Sequence, residues 1–185
     1  DKARSWSKQS AELANIRILD IALDSKEPEI IYVTSNIGVF KTNNAGLAWG
    51  KIFDGKRTED DIVSQEEPDD SVNAENTSII RRLIINHNNL NHLYLATREG
   101  VYQTPNKGLT WSRLPGYGLL DKDIAALAVS KDSILYAATK RGVFRFQDDR
   151  WIELSQRVVA QNISSIALDD FGNLYVAALE GLFKK

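Results

Sequence analysis

Two histidines, His87 and His92, are the side chains of this 185-residue sequence that most directly suggest metal chemistry. Imidazoles five residues apart can share a transition metal. No third ligand follows them, however, and the segment NHNNLNH is typical of an exposed turn. The sequence also contains no glycine-rich phosphate loop and no serine-centred nucleophile elbow. We therefore predict no metal site and no bound cofactor.

An acidic segment, residues 55–78, carries most of the remaining candidate ligands, and we predict it to be an inserted loop. Its carboxylates could collect a hard cation such as calcium, but their spacing fits no EF-hand and such runs are usually solvated. We predict instead that they contact a protein partner. The residues assigned to this role are Glu59, Asp60, Asp61, Glu66, Glu67, Asp69 and Asp70.

Charge is unevenly distributed along the chain. The net charge is −2, and residues 54–78 hold nine acids and two bases, or −7, which leaves +5 for the rest. A nucleic-acid-binding protein would show a clustered basic face, whereas a mildly basic body with one acidic loop suits a protein partner. Cysteine is absent, which excludes disulfides. With 43% hydrophobic residues and no run of eighteen apolar ones, we predict a folded domain without a transmembrane segment.

These residues are carried on a repeated unit. Four tyrosines are each followed six residues later by a glycine, and then by an aliphatic and an aromatic residue. The pairs are Tyr32 and Gly38, Tyr94 and Gly100, Tyr136 and Gly142, and Tyr175 and Gly181. The successive tyrosines are 62, 42 and 39 residues apart, and the longest interval contains the acidic segment. A unit of about forty residues is typical of one β-propeller blade.

Each unit predicts four short antiparallel strands. The first strand is apolar, the second carries the tyrosine, the third starts at the glycine, and the fourth carries a tryptophan. The predicted fold is therefore all-β, a propeller of four-stranded blades in a single domain, 1–185. We expect the four blades to span 16–54, 79–114, 122–154 and 162–185.

Trp6 lies outside these units. Residues 1–10 resemble a fourth strand without a blade in front of it, and the last unit ends after three strands. We therefore expect segment 1–10 to complete the last blade and close the ring, which leaves no exposed inner edge. Two alternatives stay open: the chain is part of a larger propeller, or two copies form a larger ring as a homodimer.

Two predicted hairpins between third and fourth strands carry a further pattern, Thr-x-Asn-x-Gly followed by a tryptophan. Its residues are Thr42, Asn44, Gly46 and Trp49 in the first unit and Thr104, Asn106, Gly108 and Trp111 in the second. We expect the asparagine to bind backbone amides of its own turn, the glycine to take a positive φ, and the tryptophan to pack between sheets. The pattern resembles the Asp-box, or BNR repeat, with Asn in place of Asp. The third unit keeps Trp151 but has a degenerate box.

Taken as a whole, the chain is similar to the sortilin, sialidase and photosystem II assembly-factor superfamily of Asp-box propellers. This resemblance implies an exported protein, whether periplasmic, lumenal or extracellular. It further implies a role in protein binding or assembly, or in glycan cleavage.

A sialidase-like enzyme would need an arginine triad, a tyrosine nucleophile and a nearby carboxylate. The candidate arginines are Arg17, Arg81, Arg82 and Arg98. Either Arg81 or Arg82 points into the central channel, or both are ordinary strand and rim charges. The tyrosines recur in every unit, which indicates packing, and the Phe-Arg-Ile-Pro segment of sialidases is missing. We predict no catalytic residues.

The sequence as a whole favours a non-enzymatic protein-interaction or assembly module, such as an accessory subunit of a larger exported complex. Besides the acidic segment, we predict a partner-binding role for Tyr117, in the loop LPGYGLL after the second blade. The alternative for this loop is that its leucines tuck under the neighbouring blade. The alternative function is a glycan-binding or glycan-cleaving protein.

Overall fold

A computed structural model describes residues 11–55, 79–154 and 162–185, and its regular structure there consists of fifteen β-strands. The strands are β1 Ile18–Leu23, β2 Ile31–Ser35, β3 Gly38–Thr42, β4 Gly50–Asp54, β5 Ile80–Ile85, β6 Leu93–Thr97, β7 Gly100–Thr104, β8 Ser112–Arg113, β9 Ile124–Val129, β10 Leu135–Thr139, β11 Gly142–Gln147, β12 Arg150–Glu153, β13 Ser165–Leu168, β14 Leu174–Ala178 and β15 Gly181–Lys184.

The strands form four separate sheets, in each of which neighbours in sequence are neighbours in space. Three sheets have four antiparallel strands, in the orders β1-β2-β3-β4, β5-β6-β7-β8 and β9-β10-β11-β12. The last sheet has three strands, β13-β14-β15. The predicted all-β architecture of repeated antiparallel sheets is confirmed. The strand predicted for residues 1–10, with Trp6, lies outside the described residues.

The first strands of successive sheets lie side by side. β1 packs on β5, β5 on β9, and β9 on β13. Each sheet therefore has its first strand innermost and its fourth strand outermost, as in a blade. β1 and β13, at the two ends of the described series, do not pack against each other in this way.

Each pair of neighbouring sheets encloses one hydrophobic cluster. Between the first two sheets lie Tyr32 and Val39 from one side and Leu83 from the other. The small residues two positions after the tyrosines, such as Thr34 and Ala96, are fully buried. Larger side chains there would keep the sheets apart, which explains the small residues that follow each tyrosine.

The turn between the second and third strands is closed in the same way in three sheets. A hydroxyl at the end of the second strand donates to the carbonyl of the glycine that starts the third, as Thr97 does to Gly100 at 2.7 Å. Ser35 does the same at 2.8 Å to Gly38. Gly38 has φ +155°, and a Cβ there would lie 2.4 Å from the Phe53 carbonyl oxygen. Because of this close approach of the fourth strand, the third strand has to begin with glycine.

Candidate functional site

The hairpin between β3 and β4 is held by its own side chains. The Thr42 hydroxyl donates to the Asn44 side-chain oxygen at 2.7 Å and accepts the Gly46 amide at 3.1 Å. The same Asn44 oxygen accepts the Ala48 amide at 3.0 Å. Gly46 has φ +92°, which favours glycine. The Trp49 indole donates to the Gly46 carbonyl at 3.2 Å and so closes the turn.

The hairpin between β7 and β8 repeats this network. The Thr104 hydroxyl binds the Asn106 side chain at 2.8 Å and the Gly108 amide at 3.0 Å. The Asn106 oxygen accepts the Thr110 amide at 2.9 Å. The Trp111 ring lies 5.3 Å from the Phe53 ring of the preceding sheet, so it packs between sheets. The third sheet instead closes β11 and β12 through Asp148 and Asp149, both with positive φ, in a two-residue turn.

A cluster of charged side chains, of which Asp24 is buried and Glu27 is exposed, joins the first two sheets at the same end as these hairpins. Lys107 Nζ lies 3.2 Å from Asp24 Oδ2 and also contacts the Glu27 carboxylate. Burial acts to raise the pKa of Asp24, but the Lys26 and Glu27 amides and the Lys107 ammonium outweigh it and hold that pKa below 3.8. The hydrogen bond to Glu27 is the main cause that raises the pKa of Lys107. The cluster is a structural clamp between blades.

The opposite end of the sheets carries the links into each first strand, together with the hairpins between second and third strands. We call this the link end. The acidic segment starts and finishes here, because the Ile79 amide donates to the Gly55 carbonyl at 3.3 Å. The two ends of the segment therefore meet at one point. The seven predicted partner-binding acids within it lie outside the described residues.

The loop that carries Tyr117 leaves and re-enters the sheets at the link end, but its tip is fixed to the outer strand of the third sheet, close to the β11–β12 turn. The Trp151 amide donates to the Tyr117 carbonyl at 2.8 Å, and the Trp151 indole donates to the Pro115 carbonyl at 2.9 Å. A Cβ on Gly118 would lie 2.1 Å from the Trp151 carbonyl oxygen. The Tyr117 side chain is nevertheless 76% exposed. The loop is therefore rigid, and its aromatic ring faces solvent.

The sequence left open whether the leucines of this loop tuck under the neighbouring blade or stay exposed, and the structure shows both. Leu114 is buried, and Leu119 packs against the cluster between the second and third sheets. Leu120 is exposed. Two of the leucines therefore tuck under the neighbouring blade, and they leave Tyr117 outside.

A cavity of about 320 Å³ opens between the first strands at the link end. Arg81 Nη2 lies 2.7 Å from one carboxylate oxygen of Asp123 and 3.0 Å from the other. Exposed Lys140 and the Ser164 hydroxyl line the same space. Its lining therefore carries two cations and one carboxylate, a net positive charge that suits an acidic group.

Arg82 does not join this cavity. Its Nε lies 3.7 Å from Asp20 Oδ2, which also accepts the Leu83 amide. Arg81 therefore lines the cavity at the axis, while Arg82 pairs with the preceding first strand. The two neighbouring arginines therefore have different surroundings, in line with the alternative that one of them faces the channel.

The two histidines have separate surroundings. His92 Nε2 lies 3.0 Å from the Gln103 side-chain oxygen, and its ring stacks on Tyr94 at 4.5 Å. His87 is exposed in the adjoining turn. Within residues 11–55, 79–154 and 162–185, no three of His, Cys, Asp and Glu come together in a way that would hold a metal ion.

Comparison with known proteins connects this arrangement to a fold. No family model and no curated protein sequence matches the chain. Among solved structures, an ancestral GH74 enzyme matches with a TM-score of 0.67 and 18% identity over 92% of this chain and 25% of its own. The extracellular domain of a hybrid two-component system from B. thetaiotaomicron matches with a TM-score of 0.67 and 16% identity over 96% of this chain and 24% of its own. The fold is that of a β-propeller.

A third propeller structure, YCF48 bound to D1 peptide, matches with a TM-score of 0.54 and 12% identity. The match covers 89% of this chain and 47% of that structure. The present chain thus spans about a quarter of the first two structures and about half of the third. At these identities the comparison establishes the propeller fold alone. In the described part of the chain no helix is long and apolar enough to cross a membrane.

Sequence reasoning missed the pairs that join neighbouring blades. Arg81 and Asp123 are 42 residues apart, one repeat along the chain. Lys107 reaches back 83 residues to Asp24. Residues of opposite charge at equivalent ends of successive repeats could have indicated these pairs. This pattern is visible only when the repeats are aligned on their tyrosines.

Proposed function

We propose that this chain is a non-enzymatic protein-interaction or assembly module whose partner docks on the loop that carries Tyr117 and on the neighbouring link end. The observation that carries the proposal is Tyr117, an exposed aromatic side chain on a loop held by the two Trp151 hydrogen bonds. A rigid aromatic anchor loses little conformational entropy when it is buried by a partner. Interface hot spots are rich in tyrosine for this reason.

The acidic segment adds charge to the same end. Residues 54–78 carry −7, and the segment leaves and re-enters the propeller at Gly55 and Ile79. A local field of this sign steers a basic partner surface and raises its association rate. An aromatic anchor beside an acidic arm therefore favours a protein partner with an apolar pocket and a basic rim.

The cavity offers a second contact for such a partner. Lys140 is exposed at its mouth, and Arg81 lies within it beside Asp123. A carboxylate from a peptide segment would find the Lys140 ammonium there. The peptide-bound state of YCF48, a propeller of related shape, supports this mode of binding.

We further propose export and an accessory role in a larger complex. The extracellular domains among the structural neighbours support an exported location. The two Thr-x-Asn-x-Gly hairpins are interpreted as Asp-boxes with a structural role, since their side chains are engaged within their own turns.

The test compares two exposed aromatic side chains on different loops of the propeller. Tyr117→Ala should lower recovery of the partner from cell extract at least about tenfold, the loss typical of a hot-spot residue. Phe171→Ala is the matched control, because Phe171 is even more exposed but lies in the turn between β13 and β14 of the last sheet. Equal recovery with both variants would exclude Tyr117 from the interface.

A glycan-directed function is the second candidate, and the channel cavity with Arg81 and Asp123 is the observation that favours it. The matching GH74 enzymes share the fold. Against catalysis, Asp123 and Asp20 are each engaged by an arginine. Turnover of aryl glycosides that disappears in Arg81→Gln would favour this candidate over the interaction module.

A further inference from the structure

The first strand of the first sheet exposes apolar side chains whose counterparts the other sheets bury. Ile18, Ile21 and Leu23 on β1 form this leading face, and Ile21 is 61% exposed. Ile21 corresponds by strand register to Leu83, Leu127 and Ile166 in the second, third and fourth sheets. These three residues are only 4%, 4% and 7% exposed. A preceding blade covers them. Nothing among the described residues covers Ile21 in that way.

The last sheet exposes the opposite apolar face. Leu182 follows the glycine that begins β15, and it is 73% exposed. Its counterparts Val39, Val101 and Val143 are at most 3% exposed. We call the side of β13–β15 that carries Leu182 the trailing face. Among the described residues, no following blade covers this trailing face, whereas a following blade covers the trailing faces of the other three sheets.

The three junctions inside the chain show what each face binds. Val39 and Leu83 share one hydrophobic cluster, Val101 and Leu127 share the next, and Val143 and Ile166 share the third. In every junction, the trailing face of one blade therefore packs on the leading face of the next. The exposed faces of the first and last blades are the two halves of a fourth junction of the same kind.

We propose that a second copy of this chain occupies both faces, so that two copies pack head to tail into a closed ring of eight blades. Each copy supplies its trailing face to the leading face of the other, and both contacts continue a junction already present three times in the chain. Propellers have about four to eight blades, so two copies fit and three do not. A head-to-tail contact that closes leaves no exposed apolar face.

Closure of four blades within one chain is the competing arrangement. It would bury Ile21 and Leu182 in the same molecule. In the structure, however, both residues are exposed and β1 does not pack on β13. A ring completed by a second copy removes both exposed faces without any change in the described blades.

Light scattering provides the first test. The chain should show a mass near twice 20.7 kDa, and Ile21→Asp or Leu182→Asp should each reduce it to that of a single chain. Leu109→Asp is the matched control, since Leu109 is an even more exposed leucine on a hairpin outside both faces. A single-chain mass for the unaltered protein, or a double mass that survives both substitutions, overturns the proposal.

Crosslinking provides a test that does not depend on destabilising variants. The chain has no cysteine, so Ile21→Cys and Leu182→Cys can be installed alone or together and treated with a short bismaleimide. The double variant should give a covalent dimer, and neither single variant should. A crosslink confined to one chain means closure within the monomer, and a dimer from either single variant means face-to-face pairing. Each of these results, or the absence of any crosslink, overturns the proposal.

Discussion

Gly108 occupies a position that admits no side chain without strain. Its φ is +91°, and a Cβ would lie 2.4 Å from Ile52 Cδ1 on the preceding blade. Gly108→Ala should therefore lower the free energy of unfolding by about 1–3 kcal/mol, as for other residues forced into this backbone region. Urea unfolding measures the change. Gly116→Ala is the control, since a Cβ there meets nothing and φ is not positive, and an equal loss in both variants would contradict the argument.

Asp24 should make stability depend on pH in acid. Its pKa in the folded chain lies below 3.8, so its contribution is complete above that value and is lost as the pH falls through the folded-state pKa. The pKa of Asp169 is lowered too, chiefly by its hydrogen bond with Asn173, and acts in the same direction. Urea midpoints measured from neutral pH down into this acid range should decline.

Replacing Asp24 isolates its share of that decline. Asp24→Asn should lower stability at neutral pH by about 1–3 kcal/mol, because the charged hydrogen bond with Lys107 is lost. It should also flatten the acid decline. The control is Asp170→Asn, whose ion pair with Lys131 is largely exposed. A pH profile unchanged by Asp24→Asn would show that the buried carboxylate contributes nothing to the dependence.

The residue-scale features divide into those that the sequence predicts and those that it does not. The hydrogen bonds within Thr42–Trp49 are local, so the residue types and spacing were enough to predict them. The Arg81–Asp123 pair joins different blades and depends on the geometry between sheets. The opposite surroundings of Arg81 and Arg82 follow from the register shift in β5 that places them differently.

At the scale of the strands, runs of mainly apolar residues predict the first strands of the blades. In the fourth blade the apolar run starts at Ile163, but the strand begins at Ser165. Asn162 has φ +55°, so the chain turns immediately before Ile163, which is buried without being part of the strand. Strand β8 is only two residues long because Pro115 has no amide to continue the ladder.

Neutralising the acidic segment should change the rate of association with a partner more than the geometry of the bound complex. Replacing its seven predicted partner-binding acids by Asn or Gln should slow association with the captured partner by about tenfold or more, and should reduce the salt dependence. Association rates at several ionic strengths measure both effects. The control neutralises Asp148 and Asp149, in a turn at the other end. Equal salt dependence in the two variants would show that the acidic segment does not contribute to the association rate.

At the scale of the whole molecule, the sequence predicts the repeat but not the size of the ring. Each blade encodes a leading and a trailing face, and the three junctions inside the chain pair these faces in the same way. The local pattern is therefore identical for a closed monomer, a dimer and an arc of a longer propeller. The exposure of Ile21 and Leu182 separates the closed monomer from the other two arrangements.

The meeting of Gly55 and Ile79 has a practical consequence for engineering. Their backbone hydrogen bond fixes the entry and exit points together, so sequence of almost any length can be spliced between them without moving β4 or β5. The entropic cost of closing a longer loop grows only slowly with its length. A fluorescent domain inserted there would sit at the link end and report on binding at that end, while the blades that carry it keep their packing.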